Sequence, residues 1–389
     1  MNNKRKPEIY LDYAATSRHK PEEVRKAITS YFMNIGASPG RGGYQSSIKA
    51  GRILINTRKL LSELFNAPTI EQVIFTPGVT FSLNYVIKGL LSNNSHVITT
   101  TMEHNSVLRP LKSREANNEI TVDYITANDK GQIEVDSIEN AVKDNTEMII
   151  ITHASNVTGT LQELEKIANI AQKYNLYYVI DAAQTAGVYN LDFQKLNLDI
   201  LAFTGHKYLM GPPGTGGMVI SKRAAQNMNP LIEGGTGSES DKEYQPDFLP
   251  DKFESGTINT PALAGLQAGI EKLIDLGPHN IKKHLNKLTS SFIEELSNLP
   301  QITIHGPQNP QKQTATISIT VKDYDLGRLS MELDQKHGIM TRSGLHCAPL
   351  AHKSIGTFPE GTLRFSFGYY TALKDIEFAV NALKSLITN

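Results

Sequence analysis

Tyr177-Tyr178-Val179-Ile180-Asp181 and Ile200-Leu201-Ala202-Phe203-Thr204-Gly205-His206-Lys207 are two short apolar runs that each lead into an ionisable residue. Runs of this length, bounded by polar or turn-forming residues, read as buried strands. Working outward, His96-Val97-Ile98-Thr99, Ile120–Ile125, Met148–Ile151 and Met218–Ile220 read the same way. Between them lie helical patterns: Leu83, Val86, Ile87, Leu90 and Leu91 share one face, as do Leu164, Ile167, Ala168, Ala171 and Tyr174. Strand and helix alternating from about residue 76 to 220 imply an α/β fold, with helices packed on a largely parallel sheet. In that architecture ligands collect at the carboxyl ends of the strands. Asp181 and Lys207 both fall there.

The bulk composition narrows the choices. The chain has 389 residues, enough for one large core and a smaller one. Lys plus Arg and Asp plus Glu each total 39, which gives no electrostatic footprint for nucleic acid or an anionic membrane. The basic start Met1–Lys6 is followed by no apolar stretch, so it does not read as a signal peptide, and the strongest apolar run, Met148–Ile151, suits a strand rather than a membrane span. A single cysteine, Cys347, excludes an intrachain disulfide and favours a cytoplasmic protein. Residues 234–261 are rich in Gly, Ser, Asp and Pro and mark a boundary that also contributes to a site. Helices over about 262–298, a strand over Ala315–Val321 and a closing helix from about Ala372 form a smaller α+β domain. The expected division is a large domain over 21–258 and a small one made of 1–20 with 259–389.

Asp181 and Lys207 together suit one cofactor. Pyridoxal 5′-phosphate (PLP) needs a lysine to form an imine and a carboxylate to keep its ring nitrogen protonated, so that the ring accepts the electrons released at a substrate Cα. Taken alone, the pair is more simply a salt bridge. Thr76-Pro77-Gly78-Val79-Thr80 follows the apolar run Val73–Phe75 and opens a helix, whose free N–H groups would attract a phosphate; a plain cap is the alternative. Gly211-Pro212-Pro213-Gly214-Thr215-Gly216-Gly217 imitates a nucleotide-binding P-loop, but Gly217 and Met218 replace its Lys and Ser/Thr and a strand follows. Nucleotide hydrolysis is rejected. Arg342-Ser343-Gly344-Leu345-His346-Cys347-Ala348-Pro349, followed by Arg364, offers guanidinium forks for a carboxylate and a thiol between them. Arg342, Arg364 and His346 are the expected sources of positive potential at Cys347. A buried structural cysteine, or a zinc site using His346, Cys347 and His352, are the rival readings of that segment.

With these motifs in place, the chain resembles the class V aminotransferase family of PLP fold type I, and within it the SUF-type cysteine desulfurases and desulfurase-like proteins. The likeness runs from Leu11-Asp12-Tyr13-Ala14-Ala15-Thr16 to the helix after Arg364. It rests on Thr204-Gly205-His206-Lys207, Asp181-Ala182-Ala183-Gln184 and Glu103-His104-Asn105-Ser106. The resemblance implies a large domain built on a mainly parallel seven-stranded sheet, with PLP as cofactor bound to Lys207. His104 would stack on the ring and shuttle protons, Asp181 would pair with the ring nitrogen, and Gln184 would bond the phenolic oxygen. Val79, Thr80, Thr204 and His206 would hold the phosphate, and Asn156 would lie near ring and substrate. Arg364, with Arg342 and Arg41 nearby, would bind the substrate carboxylate. Thr257, in Phe253-Glu254-Ser255-Gly256-Thr257, would reach the neighbouring subunit's phosphate, which implies a homodimer. Cys347 falls where the family keeps its sulfur-accepting cysteine. The implied activity converts L-cysteine to L-alanine and leaves a persulfide on Cys347 for a protein or thiol acceptor. Alternatives are a selenocysteine lyase, another class V β-lyase, or a non-catalytic sulfur-trafficking scaffold. Residues 350–361, and Thr362-Leu363-Arg364-Phe365-Ser366 where Cys-Arg-Ala-Ser is more familiar, depart from the best-known pattern.

Overall fold

The computed structural model describes residues 8–40 and 42–388. The chain opens with β1 (Ile9–Tyr10), α1 (Glu22–Asn34) and α2 (Gln45–Phe65). The alternating region follows: β2 (Val73–Thr76), α3 (Val79–Gly89), β3 (Ser95–Thr100), α4 (Asn105–Ala116), β4 (Ile120–Ile125), α5 (Val135–Asn140), β5 (Thr146–Thr152), α6 (Leu164–Lys173), β6 (Tyr177–Asp181), β7 (Ile200–Thr204), β8 (Gly216–Ile220) and α7 (Lys222–Asn227). The remainder comprises α8 (Thr260–Leu276), α9 (Pro278–Ser297), β9 (Ile302–His305), β10 (Thr316–Val321), α10 (Leu326–His337), β11 (Ile339–Met340), β12 (Arg342–Gly344), α11 (Pro349–Ser354), β13 (Thr362–Ser366) and α12 (Leu373–Ile387).

The main sheet has seven strands in the order β2-β8-β7-β6-β5-β3-β4. Only β8 runs against its neighbours β2 and β7. Helices cover both faces, so successive residues of one strand enter different cores. Met148 and Ile150 of β5 join one apolar cluster, Ile149 and Ile151 the other, as a two-residue side-chain period requires. The glycine run that imitates a P-loop does a steric job. A Cβ on Gly217 would lie 2.3 Å from the Ile74 carbonyl oxygen and 2.7 Å from the Phe203 ring. Only glycine lets β8 fit between β2 and β7.

The helical faces hold with one exception. Leu83, Val86 and Ile87 are buried on α3, and Leu90 and Leu91 are buried just past its end. Leu164, Ile167, Ala168 and Ala171 are buried on α6, but Tyr174 follows the helix and is 39% exposed. The helix stops at Lys173, so the tyrosine leaves the apolar face that the periodicity assigned it.

A second sheet, β12-β13-β10-β9, is antiparallel throughout. The N-terminal strand β1 pairs in parallel with β11, and Asp12 bridges to Ser366. Residues 229–259 contain no helix or strand. This segment is nevertheless tied down: the buried Glu254 carboxylate accepts the Phe75 N–H at 2.6 Å and pairs with Arg58 of α2. No helix among the described residues is long and apolar enough to cross a membrane.

Candidate active site

Strands β6 and β7 lie side by side in parallel, Asp181 opposite Ala202. Asp181 therefore ends β6, and Lys207 stands just beyond Thr204, the end of β7. Asp181 is buried and accepts one backbone bond, from the Ala183 N–H at 2.9 Å. Burial raises its pKa, against the pull of that N–H and of Lys207. Lys207 is brought down to about 8, chiefly by burial and further by Arg364, while Asp181 acts the other way. An amine so placed is far closer to neutral than a solvated lysine, as a base or nucleophile must be. Its Nζ has no hydrogen-bond partner among the described residues.

The backbone bearing Lys207 is fixed by the segment between β1 and α1. The His206 carbonyl accepts from Lys20 Nζ at 2.8 Å, Ser17 Oγ at 3.0 Å and the Ser17 N–H at 3.1 Å. Ser17 Oγ also reaches the Lys207 carbonyl at 3.0 Å, and Thr16 Oγ1 lies 3.0 Å from His206 Nδ1. His206 is lowered to about 4 by burial and by the Lys207 and Lys20 charges, so it is a neutral imidazole at physiological pH.

Val79 and Thr80 open α3, whose N-cap Gly78 supplies no side-chain cap. The Val79 and Thr80 N–H groups remain available to an anion, while the Phe81 N–H donates to the Gly78 carbonyl at 2.9 Å. A Cβ built on Gly78 would sit 3.8 Å from Thr204 Oγ1, which places the Thr204 hydroxyl against this turn. His104 caps α4: its Nδ1 accepts the Ser106 N–H at 3.1 Å and lies 2.8 Å from Ser106 Oγ. Burial, then the Lys207 charge, lower it to about 4. With Nδ1 accepting, the neutral ring carries its proton on Nε2.

Arg364 of β13 is buried to 1% exposure. Its Nη2 donates to Asp12 Oδ1 at 2.6 Å and its Nη1 to the Asn156 carbonyl at 2.9 Å, leaving Nε unpaired. Arg342 lies opposite it on β12, exposed. The Asn156 amide donates to the His346 carbonyl at 2.7 Å, joining this cluster to the cysteine segment. Cys347 is exposed, with a left-handed φ of 59° following His346 at 48°. It shares a cavity with Thr80, His104 and Asn105. The expected activation by His346 is not found. That ring is buried against Thr362, and burial together with Arg364 holds its pKa far below the usual imidazole range. Arg364 is already paired with Asp12, and the cations that line the cavity with Cys347 are Lys88 and Arg109.

Gln184 is buried and donates to the Ala14 carbonyl at 3.1 Å, its Oε1 unpaired. Thr257 lines a different cavity, with Thr76, Pro77 and Gly214, rather than the one that Cys347 borders. Arg41 lies outside the described residues. The motif reading assigned no role to Asp12, Ser17, Lys20 or Glu103. Glu103 is buried, accepts from Thr100 Oγ1 at 2.7 Å and the Thr152 N–H at 3.1 Å, and is raised to about 8 by burial. The only local signal for these residues is that each sits inside or beside a quoted motif.

The centre thus gathers buried polar atoms with unused valences: Gln184 Oε1, Arg364 Nε and Glu103 Oε2. Buried polar atoms without partners are rare in native proteins, and several around one place fit a bound polar group. An amine, a buried carboxylate and an open helix N-terminus match the aldehyde, ring nitrogen and phosphate of PLP.

Fold and site together define a class. The model of the aminotransferase class-V family matches residues 9–378, and the chain belongs to that family. It is 32% identical over 383 residues to a probable cysteine desulfurase of Methanothermobacter thermautotrophicus, covering 97% of this chain and 94% of that one. A probable cysteine desulfurase of Pyrococcus abyssi is also 32% identical, with coverage of 97% and 94%. Among solved structures, the apo cysteine desulfurase of Thermococcus onnurineus superposes with a TM-score of 0.92 at 31% identity, covering 98% of this chain and 94% of that one.

Proposed function

We propose that this chain is a PLP-dependent cysteine desulfurase, converting L-cysteine to L-alanine and leaving the sulfur as a persulfide on Cys347. The observation that carries the reading is the placement of the only cysteine: exposed, on the wall of a cavity it shares with His104, the imidazole whose pKa the Lys207 charge lowers. Lys207 would hold PLP, Asp181 its ring nitrogen, Gln184 its phenolic oxygen, and Val79, Thr80, Thr204 and His206 its phosphate. When bound, the cofactor supplies an electron sink for the substrate's Cα.

The protein's own groups do the rest. Arg364, oriented by Asp12 and the Asn156 carbonyl, presents its unpaired Nε–H to the substrate carboxylate, with Arg342 beside it. Lys207, poised near neutrality, takes the Cα proton. The Cys347 thiolate attacks the substrate sulfur; the new S–S bond forms as the C–S bond breaks, and its electron pair ends on the carbon that becomes the alanine methyl group. His104 passes its Nε2 proton to that carbon as Nδ1, 2.8 Å from the Ser106 hydroxyl, takes one up by way of that hydroxyl from solvent, so the ring stays neutral. The Lys207 cation contributes to the low His104 pKa, so the ring is held in its neutral form while Lys207 carries the Cα proton.

The functional unit is read as a homodimer, with Thr257 serving the partner's phosphate site. Exposed apolar side chains on α1 and α2, among them Phe32, Met33, Ile48 and Ile55, support this. The division at 258/259, with residues 1–20 in the small domain, is proposed on the pairing of β1 with β11.

The test measures alanine and sulfide from cysteine, and alanine and selenide from selenocysteine, for the wild type and Cys347→Ser. The proposal expects alanine and sulfur in equal amounts from cysteine, and almost none from the variant. Sulfur release from cysteine at the wild-type rate by Cys347→Ser would overturn it and favour a lyase.

A further inference from the structure

We propose that the valley between α3 and α4 is a docking groove for an extended, acidic, thiol-bearing segment of a sulfur-accepting protein. The inference rests on the persulfide reading of Cys347 and adds the character of the partner.

The groove is a cavity of about 420 Å³ with Cys347 on its wall. Both helices run back from the carboxyl edge of the main sheet, since each follows directly on a strand of the same direction. Thr80, Asn84 and Lys88 line one side; Asn105, Arg109 and Ser113 line the other. Each set recurs every four residues, which places it along one helical face. The Asn105 N–H donates to the Cys347 carbonyl at 2.7 Å, pinning the cysteine at the end where the helices begin. The valley therefore leads away from the sulfur.

Its charge is one-sided. Lys88 and Arg109 are exposed, and no carboxylate lines the cavity or pairs with either among the described residues. The next cations on α4 are paired: Lys112 with Glu115 at 2.6 Å and Arg114 with Glu119 at 2.7 Å. Lys88 also suits the negative end of α3, but Arg109, well inside α4, has no such structural reason. Two unneutralised cations facing one polar valley call for an anionic occupant.

The spacing specifies that occupant further. At about 1.5 Å rise per residue, Arg109 lies about 6 Å and Lys88 about 13.5 Å from the start of its helix. An extended chain advances about 3.3 Å per residue. A thiol at Cys347 would then place the second and fourth residues beyond it at Arg109 and Lys88, and residues two apart share one face of an extended chain. The acceptor thiolate attacks the outer sulfur of the persulfide. A new S–S bond forms on the acceptor, the bond to Cys347 breaks, and Cys347 leaves as thiolate, with no external oxidant or reductant.

The experiment uses the PLP-loaded enzyme and labelled peptides in which Ser replaces the acceptor Cys, so that binding is read without sulfur chemistry. Ser-Gly-Glu-Gly-Glu is expected to bind about tenfold more tightly than Ser-Gly-Lys-Gly-Lys, and more tightly than the register-shifted Ser-Glu-Gly-Glu-Gly. The preference should reverse in Lys88→Glu/Arg109→Glu and vanish near 1 M salt, where the screening length is about 3 Å. The thiol versions should rank identically as acceptors of radiolabelled sulfur loaded on Cys347. Equal binding of the acidic and basic peptides, or a preference unchanged in the double variant, overturns the groove, including by way of a second copy that already fills it. Failure of the persulfide reading shows separately, as no label on Cys347, while the binding measurements still decide the groove.

Discussion

Arg364 is a fully buried guanidinium held by two partners far from it in sequence, Asp12 and Asn156. Its fork geometry cannot be reproduced by an ammonium. Arg364→Lys should raise the KM for cysteine about tenfold or more, read from initial rates, with the cofactor still bound; an unchanged KM would remove Arg364 from the carboxylate site. Lys207 makes the second prediction. Burial lowers it to about 8, so its base form is scarce below that pH and dominant above it. Turnover should therefore rise as pH increases through about 8. A kcat that is flat between about pH 6.5 and 9.5 would mean that a different group limits the reaction.

Among the elements, the coil at 253–257 depends on one buried ion pair. Glu254 meets Arg58 and the Phe75 N–H in a site where both charges are almost wholly removed from water. Removing one partner leaves the other charge buried and unpaired, at a cost of about 3–5 kcal/mol, whereas replacing both by apolar residues can be nearly neutral. Arg58→Met should lower stability by that amount in urea unfolding, and Arg58→Met/Glu254→Leu should recover most of it. A single variant as stable as the wild type would show the pair to be dispensable. The glycines of β8 are as exacting: Gly217→Ala forces a methyl group onto the Ile74 carbonyl, and the sheet must open to admit it.

At the scale of the molecule, the folded state keeps many imidazoles neutral. His153 is lowered to about 3, and His104, His206 and His352 to about 4, each mainly by burial. His96, His305 and His346 are lowered as well. The unfolded chain takes up these protons near pH 6.5, whereas the folded chain resists until far lower. Each such group therefore supports folding above about pH 6.5 and loses that support as pH falls toward its folded value, by up to about 1.4 kcal/mol per pH unit. Glu103, Asp181 and Glu254, all raised, act in the opposite sense, but the imidazoles outnumber them. Thermal stability should drop steeply from about pH 6.5 to 4. A melting temperature constant over that range would contradict the buried, neutral histidines. Assembly gives the last prediction: a symmetric dimer by sedimentation, in which mixing inactive Lys207→Ala subunits with weakened Thr257→Ala subunits raises activity above that of the Thr257→Ala dimer, because each mixed dimer holds one site with an intact Lys207 and an intact Thr257 from the opposite subunit. Full activity from a dilute monomer would refute the shared site.

The alternation of strands and helices, and hence the parallel sheet with its ligand edge, was legible in the amino-acid sequence. Buried strands and amphipathic helices print their periods locally, so Asp181, Lys207 and the turn at Thr80 could be placed at strand ends from the text alone. It could not determine which groups converge from a distance. Asp12 and Arg364 lie 352 positions apart, and no local pattern couples them; the parallel bridge of Asp12 to Ser366 of β13 brings them together. Nor could it tell a charged His346 from a neutral one. Burial decides that, and burial belongs to the packed tertiary structure, which sealed the ring against Thr362 and left Cys347 outside.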